Sequence, residues 1–359
     1  MSRAWVLQVV PPGEGGVRDS ALALAASWAR QGTNSTLLML TEAATRAMPL
    51  HRQVDSLCAS AHHGVPLPAC VRVLVQYSGY GYHPRGLCGW LPRQLAALRQ
   101  HRPVRITVYF HELLASGPPW KSAFWLNGIQ AHAARQMVEQ ADALWTNAES
   151  HAIWLRSCSQ RGGNATPVVR PVFSTIGEPA APSALLERSR EMVVFGSQAS
   201  RQRVAQALRR DSSVLKGLAV SGLVEAGSGT ATLSAVAGTP TRFAGSLSRN
   251  EVSALLGRCR FGLIDYPAQL LAKSSVFAAY AAHRMAVVNL RHDVAPRSKT
   301  EMDGLAAGAH FLAATTIKPS PPDDAGLQAL ANASWGWYAP HRLASQAVEI
   351  LQLVALRKP

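Results

Sequence analysis

Residues 11–26, PPGEGGVRDSALALAA, place a proline- and glycine-rich turn directly after the apolar run Trp5–Val10 and open straight into a helical pattern. A short buried strand, a tight turn and an amphipathic helix together form the opening unit of an α/β domain. Gly13, Gly15 and Gly16 let the backbone turn sharply and approach a ligand, and Asp19 or Ser20 can cap the helix. Free N–H groups at such a helix start attract anions. The turn is neither G-x-G-x-x-G nor a P-loop carrying Lys-Ser/Thr. A plain strand–turn–helix explains the same residues, so this stretch alone indicates the fold class and leaves the ligand open.

Working outward, apolar strand-like runs alternate with helical patterns. Strands are expected at 35–40, 71–76, 104–110 and 143–145, with helices at 20–30, 89–100, 123–140 and 147–157 and a short strand at 168–172. That alternation means a parallel sheet with crossover helices. The texture then changes at 174–183, STIGEPAAPS, a linker composition. A second set follows, with strands expected at 192–196, 214–220, 241–243, 261–265 and 286–290, and the last segment, 339–357, is amphipathic. The expected fold is α/β: two Rossmann-like parallel-sheet domains facing a central cleft, with the ligand at the carboxyl ends of the strands. The expected boundaries are 1–172, a hinge at 173–190, 191–338, and a C-terminal helix over 339–359 packing back across the domains.

The bulk numbers agree with a two-domain reading. A chain of 359 residues with 48% hydrophobic content exceeds one ordinary core. No apolar run approaches the roughly 20 residues that span a bilayer, and the apolar start is too short for a secretory signal, so a cytoplasmic location is expected. The five cysteines, Cys58, Cys70, Cys88, Cys158 and Cys259, are scattered and lack C-x-x-C spacing, which reads as reduced thiols without a disulfide framework or zinc site. The histidines, His62 and His63 included, show no metal spacing. A net charge of +15, from 36 Lys and Arg against 21 Asp and Glu, predicts attraction to nucleic acid, anionic lipid or diphosphate-bearing small molecules. No helix-turn-helix, finger or RNP-like strand accompanies the charge, so nucleic acid is not expected as a partner.

Candidate chemistry collects after the strands. The 104–110 strand delivers His111 and Glu112, a pair suited to hydrogen-bonding a hydroxyl or phosphate and accepting from a sugar, although an ordinary strand-end histidine looks the same. The loop 77–82, YSGYGY, offers Tyr80 and Tyr82 as a stacking platform, and Trp120 stands in the loop after His111. In the second half, Ser197 and Arg201 follow a strand at a helix start, with Arg203 beside them. Lys273, Ser274 and Ser275 open another helical run whose alanines permit close helix–sheet packing. Paired carboxylates, H-E-x-x-H and a nucleophile elbow are missing.

These segments, in this order, resemble the bacterial GT-B glycosyltransferases of the large retaining group known as glycosyltransferase group 1 or family 4. The resemblance runs through PPGEGGVRDSALALA, VLVQYSGYGYHPRGL, YFHELLASGPPWKSAFW, TNAESHAIWL, RPVFSTIGEP and the segment RFAGSLSRNEVSALLGRCRFGLIDYPAQLLAKSSVFAAYAAHRMAVV. It implies an acceptor-side first domain and a nucleotide-sugar-binding second domain. It implies that Gly15, Gly16 and His111 meet donor or acceptor, that Arg201 and Lys273 bind phosphate with Ser197, Ser274 and Ser275, and that Asp19, Tyr80, Tyr82 and Trp120 serve the acceptor. Where the family carries a spaced pair of glutamates, this chain has Ala268, Gln269 and Ala278. The implied activity is hexosyl transfer from a nucleotide diphosphate to a polysaccharide or lipid-linked acceptor, retaining and metal-independent, with no cofactor beyond the sugar nucleotide. In such a reaction the departing phosphate takes the acceptor proton and cations stabilise its charge. An anionic inner-membrane surface is a further expected partner. The missing glutamates motivate the alternative, a catalytically silent protein of this fold that binds a nucleotide sugar or a partner.

Overall fold

The computed structural model describes residues 5–61, 69–114, 122–159, 166–234, 236–291, 303–317 and 322–355. Trp120 and the pair His62 and His63 lie outside the described residues. The chain divides into two compact units: residues 1–170 with 343–359, and Pro171–Arg342.

The first unit holds the strands β1 (Trp5–Val10), β2 (Asn34–Met39), β3 (Val71–Tyr77), β4 (Val104–Phe110), β5 (Ala143–Thr146) and β6 (Val168–Val169). All pair in parallel in the order β2-β1-β3-β4-β5-β6. The near-continuous apolar runs VLQVV and VRVLVQY are what a sheet covered on both faces demands. The helix Gly16–Arg30 follows β1 and buries Ala21, Leu24 and Trp28. The helix Leu343–Ala355 packs against it, and the indole Nε1 of Trp28 donates to the Ala347 carbonyl at 2.8 Å. The last helix thus belongs to the first unit, over which it also contacts β3 and β4.

The second unit holds β7 (Ser189–Phe195), β8 (Gly222–Ala226), β9 (Thr241–Phe243), β10 (Cys259–Ile264), β11 (Ala286–Asn289) and β12 (Leu312–Ala313). They too are all parallel, in the order β12-β11-β10-β7-β8-β9. Separate apolar cores cover its two faces, one around Phe277, Tyr280 and Tyr338, the other around Val204, Leu208 and Leu330. The α/β expectation of two parallel sheets with crossover helices is the observed architecture.

Several local expectations are corrected. Residues 214–220 form no strand; Ser213–Gly217 is helical, because Val214, Leu215 and Leu218 share one helical face, and the strand is Gly222–Ala226. That strand carries the buried Glu225, which interrupts its apolar run and hides it from a hydropathy reading. The first helix begins at Gly16, so Asp19 lies inside its first turn, its amide bonded to the Gly15 carbonyl, and neither Asp19 nor Ser20 caps it. Toward the end, residues 339–341 are a 3-10 turn and the helix proper starts at Leu343.

Candidate functional site

In each sheet the strand order reverses once, between β1 and β3 in the first and between β7 and β10 in the second. A parallel sheet opens a crevice at the carboxyl ends of the strands flanking such a reversal. In the second unit that crevice is a cavity of about 150 Å³. Val194 and Phe195 of β7 and Leu263 to Tyr266 at the end of β10 form its walls, with Ser200 and Arg203 from the helix Gln198–Arg210 and Lys273, Ser274 and Ser275 at its rim.

The predicted triplet Lys273, Ser274 and Ser275 therefore meets at one cavity. Ser274 is buried and caps the helix Ser275–Ala282 by accepting from the Phe277 amide at 3.2 Å, so its hydroxyl is committed to holding that helix start in place. Opposite, Tyr266 is fixed through its backbone: Asn289, fully buried at the end of β11, accepts from its amide at 3.2 Å and donates to its carbonyl at 2.8 Å. Ser197 caps the helix Gln198–Arg210 through the Ser200 amide and does not line the cavity.

Arg201 is a correction. Its side chain is fully buried and bonded to Glu225 and to the carbonyls of Gly196, Ser228 and Thr230, so a phosphate cannot reach it. Burial pushes the Glu225 carboxyl up, but hydrogen bonds from Thr232, Leu233 and Arg201 outweigh this and hold it below the ordinary carboxylate range. The signal was in the sequence: Arg201, Val204, Ala205 and Leu208 follow helical spacing and share the buried stripe. Arg203, exposed on the adjacent face, lines the cavity, and its guanidinium donates to the Ser200 hydroxyl at 3.1 Å.

In the first unit the carboxyl ends of β1, β3 and β4 gather a second polar group. Gly15 and Gly16 are exposed at the start of the helix Gly16–Arg30, with open space where a side chain would stand. The turn after β1 meets the short helix Gly79–Tyr82 so closely that a Cβ on Gly81 would lie 2.9 Å from the Pro11 Cβ. Ser78 donates to the Glu112 carboxylate at 2.8 Å. His111 is 7% exposed, stacks on Tyr109 at 3.9 Å between ring centroids, and its Nε2 lies 2.7 Å from the Gln76 side-chain oxygen. Gln76 in turn donates to Gln8 at 2.9 Å, and Gln8 donates to the Ala21 carbonyl at 3.0 Å. Gln8 and Gln76 escaped the sequence reading, although a glutamine inside an apolar strand is itself a signal.

Tyr80 is 41% exposed and its hydroxyl accepts from Gln130 at 3.1 Å. Tyr82 is corrected to a core residue: it is 6% exposed, stands edge-on to Trp90, and donates to the Val9 carbonyl at 3.1 Å. Asp19 stays partly exposed near the start of its helix.

No protein-family model and no curated protein sequence matches the chain. Solved structures do. An alpha-glucosyltransferase in complex with UDP and a 13-mer DNA matches with a TM-score of 0.61 at 10% identity, over 99% of this chain and 100% of that one. Sucrose-phosphate synthase from Thermosynechococcus elongatus matches at 0.58 with 12% identity over 98% of both chains. HepE from Anabaena, in complex with UDP-glucose, matches at 0.57 with 11% identity over 97% of this chain and 99% of that one. The fold is that of the GT-B glycosyltransferases. The expectation that nucleic acid is no partner is overturned by these neighbours, because the same architecture was solved holding DNA. Among the described residues no helix is long and apolar enough to cross a membrane.

Proposed function

We propose that the chain is a glycosyltransferase that uses a nucleotide-diphosphate sugar, with the nucleotide held by the second unit. The observation that carries this reading is the switch-point cavity, where Lys273, Ser275 and Arg203 stand around a space open to an anion in a GT-B fold. Two cations and helix-start amides suit a diphosphate, and they stabilise it most when it departs with extra negative charge. In this reading the side chains compensate the leaving-group charge without a metal ion, and the leaving phosphate takes the acceptor proton, with retention. Gly15, Gly16, His111 and Glu112 meet the sugar, and Asp19 and Tyr80 serve an acceptor glycan, lipid-linked or polymeric.

Calorimetric titration of UDP, GDP and ADP into the protein tests the first step. Lys273→Ala and Arg203→Ala are each expected to weaken the preferred nucleotide by about 10- to 100-fold, the range of a charge-assisted hydrogen bond. Release of nucleotide from the matching sugar donor, screened against lipid-linked glycan, polysaccharide and DNA acceptors, tests the second. A protein that binds no nucleotide, or whose affinity ignores both substitutions, refutes the proposal.

The catalytically silent alternative has its own observation. Ala268 and Ala278 stand buried where the resembled family carries carboxylates, and Gln269 beside Ala268 is exposed. Nucleotide binding without turnover on any donor and acceptor pair decides for it.

A further inference from the structure

The switch-point cavity lies at the carboxyl ends of β7 and β10, and the amino ends of the same two strands carry a group of arginines. Arg188 immediately precedes β7, Arg190 is its second residue, Arg260 is the second residue of β10, and Arg284 stands just before β11. One oxygen of Asp324 serves two of them, accepting from Arg190 at 3.0 Å and from Arg260 at 3.1 Å. The remaining carboxylates nearby do not balance the group. Glu187 is exposed, while Glu191 accepts from Ser189 at 2.9 Å and lies 3.7 Å from Arg242. The Cys259 thiol, pushed up to about 12 by burial, adds no charge.

Arg188 is 5% exposed, its Nη2 donates to the Ser183 carbonyl at 2.5 Å, and its Nε and Nη1 have no hydrogen-bond partner. A buried cation with two of its three nitrogens unmet is costly, and buried donors of this kind are normally satisfied. Burial and the Arg284 cation lower its pKa to about 10, so the group keeps its proton at neutral pH and remains a charge in need of a counterpart. The backbone is strained to hold the second cation. Arg284 has φ +54°, a left-handed position that glycine adopts at least cost, yet an arginine occupies it, its Nε donating to Asn332 at 2.6 Å and its Nη1 to the Pro182 carbonyl at 3.5 Å. Asn332 also accepts from Gln328 at 2.8 Å, and Gln328 accepts from the Leu185 amide at 2.7 Å, which clasps residues 182–185 beside the arginines. This segment is at the surface, with Ser183 exposed and the adjoining Leu186 64% exposed.

We propose that the amino ends of β7 and β10 form a second anion site, separate from the switch-point cavity, in which Arg188 and Arg284 bind a phosphate group, free or as a monoester. Phosphate oxygens give Nε and Nη1 of Arg188 the acceptors they lack, and the dianion compensates the cations that Asp324 and Glu187 leave over. The site stands whether or not the other cavity holds a nucleotide.

Inorganic phosphate titrated into the full-length Arg203→Ala/Lys273→Ala protein tests it, because the switch-point cavity then no longer competes; sodium chloride at matched ionic strength is the control. The melting temperature is expected to rise by about 3–6 °C at ten times the dissociation constant, and calorimetry to show one site. Arg188→Met in that background is expected to weaken phosphate about 10- to 100-fold while melting no lower than its parent in chloride, since it removes an uncompensated buried cation. Arg284→Gly relieves the left-handed strain and is expected to weaken phosphate about tenfold with the fold intact. Glucose 6-phosphate separates the two sources: binding as tight as that of phosphate assigns the site to monoesters, and binding of phosphate alone assigns it to the free ion. A phosphate response no larger than that of chloride, or one that survives intact in both Arg188→Met and Arg284→Gly, overturns the site. A lower melting temperature of Arg188→Met in chloride, together with unchanged phosphate affinity in Arg284→Gly, overturns it as well and marks Arg188 as scaffold.

Discussion

Replacing Glu225 with Gln keeps the shape of the side chain and removes its charge, which leaves Arg201 as an uncompensated cation. Both side chains are 0% exposed, so solvent screening offers no relief. Besides Arg201, the carboxylate accepts from the Thr232 amide at 2.9 Å, the Thr232 hydroxyl at 2.6 Å and the Leu233 amide at 3.0 Å. A glutamine presents one oxygen to these donors and turns an N–H₂ against the rest. Breaking one partner of a buried pair costs about 3–5 kcal/mol. The carbonyls of Gly196, Ser228 and Thr230 stay bonded to Arg201, so the lower half of that range is expected. For a unit of this size each kcal/mol lowers the melting temperature by about 2–4 °C, giving a drop of about 6–16 °C. Urea and thermal unfolding of the full chain measure it. A Glu225→Gln protein within about 1 kcal/mol of the parent refutes the argument that this pair is buried and obligatory. The same logic predicts that Arg201→Met, examined well below its melting point, keeps its nucleotide affinity within about threefold while Arg203→Ala does not; equal losses in the two variants refute the assignment of Arg201 to the scaffold.

Other expectations follow from the same geometry. Burial holds His283 neutral, with its pKa lowered to about 4, Ser253 bonded to Nε2 and the Ala279 carbonyl to Nδ1. Because the folded state binds fewer protons, stability is full above about pH 6.5 and falls by about 3 kcal/mol as pH drops toward 4, which the urea midpoint against pH reports; a flat profile refutes it. A Cβ on Gly262 would lie 2.5 Å from the Tyr280 ring, whose hydroxyl is tied to the Val193 and Leu263 carbonyls. Gly262→Ala is therefore expected to destabilise the second unit by about 1–3 kcal/mol or more, and a neutral effect in denaturant melts counts against this packing. Trp28→Phe deletes the indole bond to Ala347 and is expected to cost about 1–3 kcal/mol and to raise hydrogen exchange in the helix Leu343–Ala355, where unchanged exchange speaks against the anchor.

Much of the fold was legible because parallel strands buried on both faces read as apolar runs: Trp5–Val10 and Val104–Phe110 stand where the sequence places them. It failed where a buried ionic group sits inside a strand, as Glu225 does, or where a helix face mimics an apolar run, as 214–218 does. The cavity-lining Lys273, Ser274 and Ser275 were legible as hydroxyls and a cation at a helix start. Arg201 misled because its charge was weighed and its place on the Val204, Ala205 and Leu208 stripe was not. Tyr82 misled for the opposite reason: its ring fills core space against Trp90 and its hydroxyl reaches the Val9 carbonyl, a partner distant enough in sequence that loop composition does not disclose it.

The return of the last helix to the first unit sets the order in which the chain is completed. Residues 171–342 are translated as an uninterrupted folding unit, while the first unit waits for residues 343–355, which are made only after the whole of the second. Trp28 finds its partner Ala347 only after a further 319 residues have been made. A frameshift or cleavage just before Leu343 is therefore expected to damage the first unit and to spare residues 171–342 immediately upstream of it.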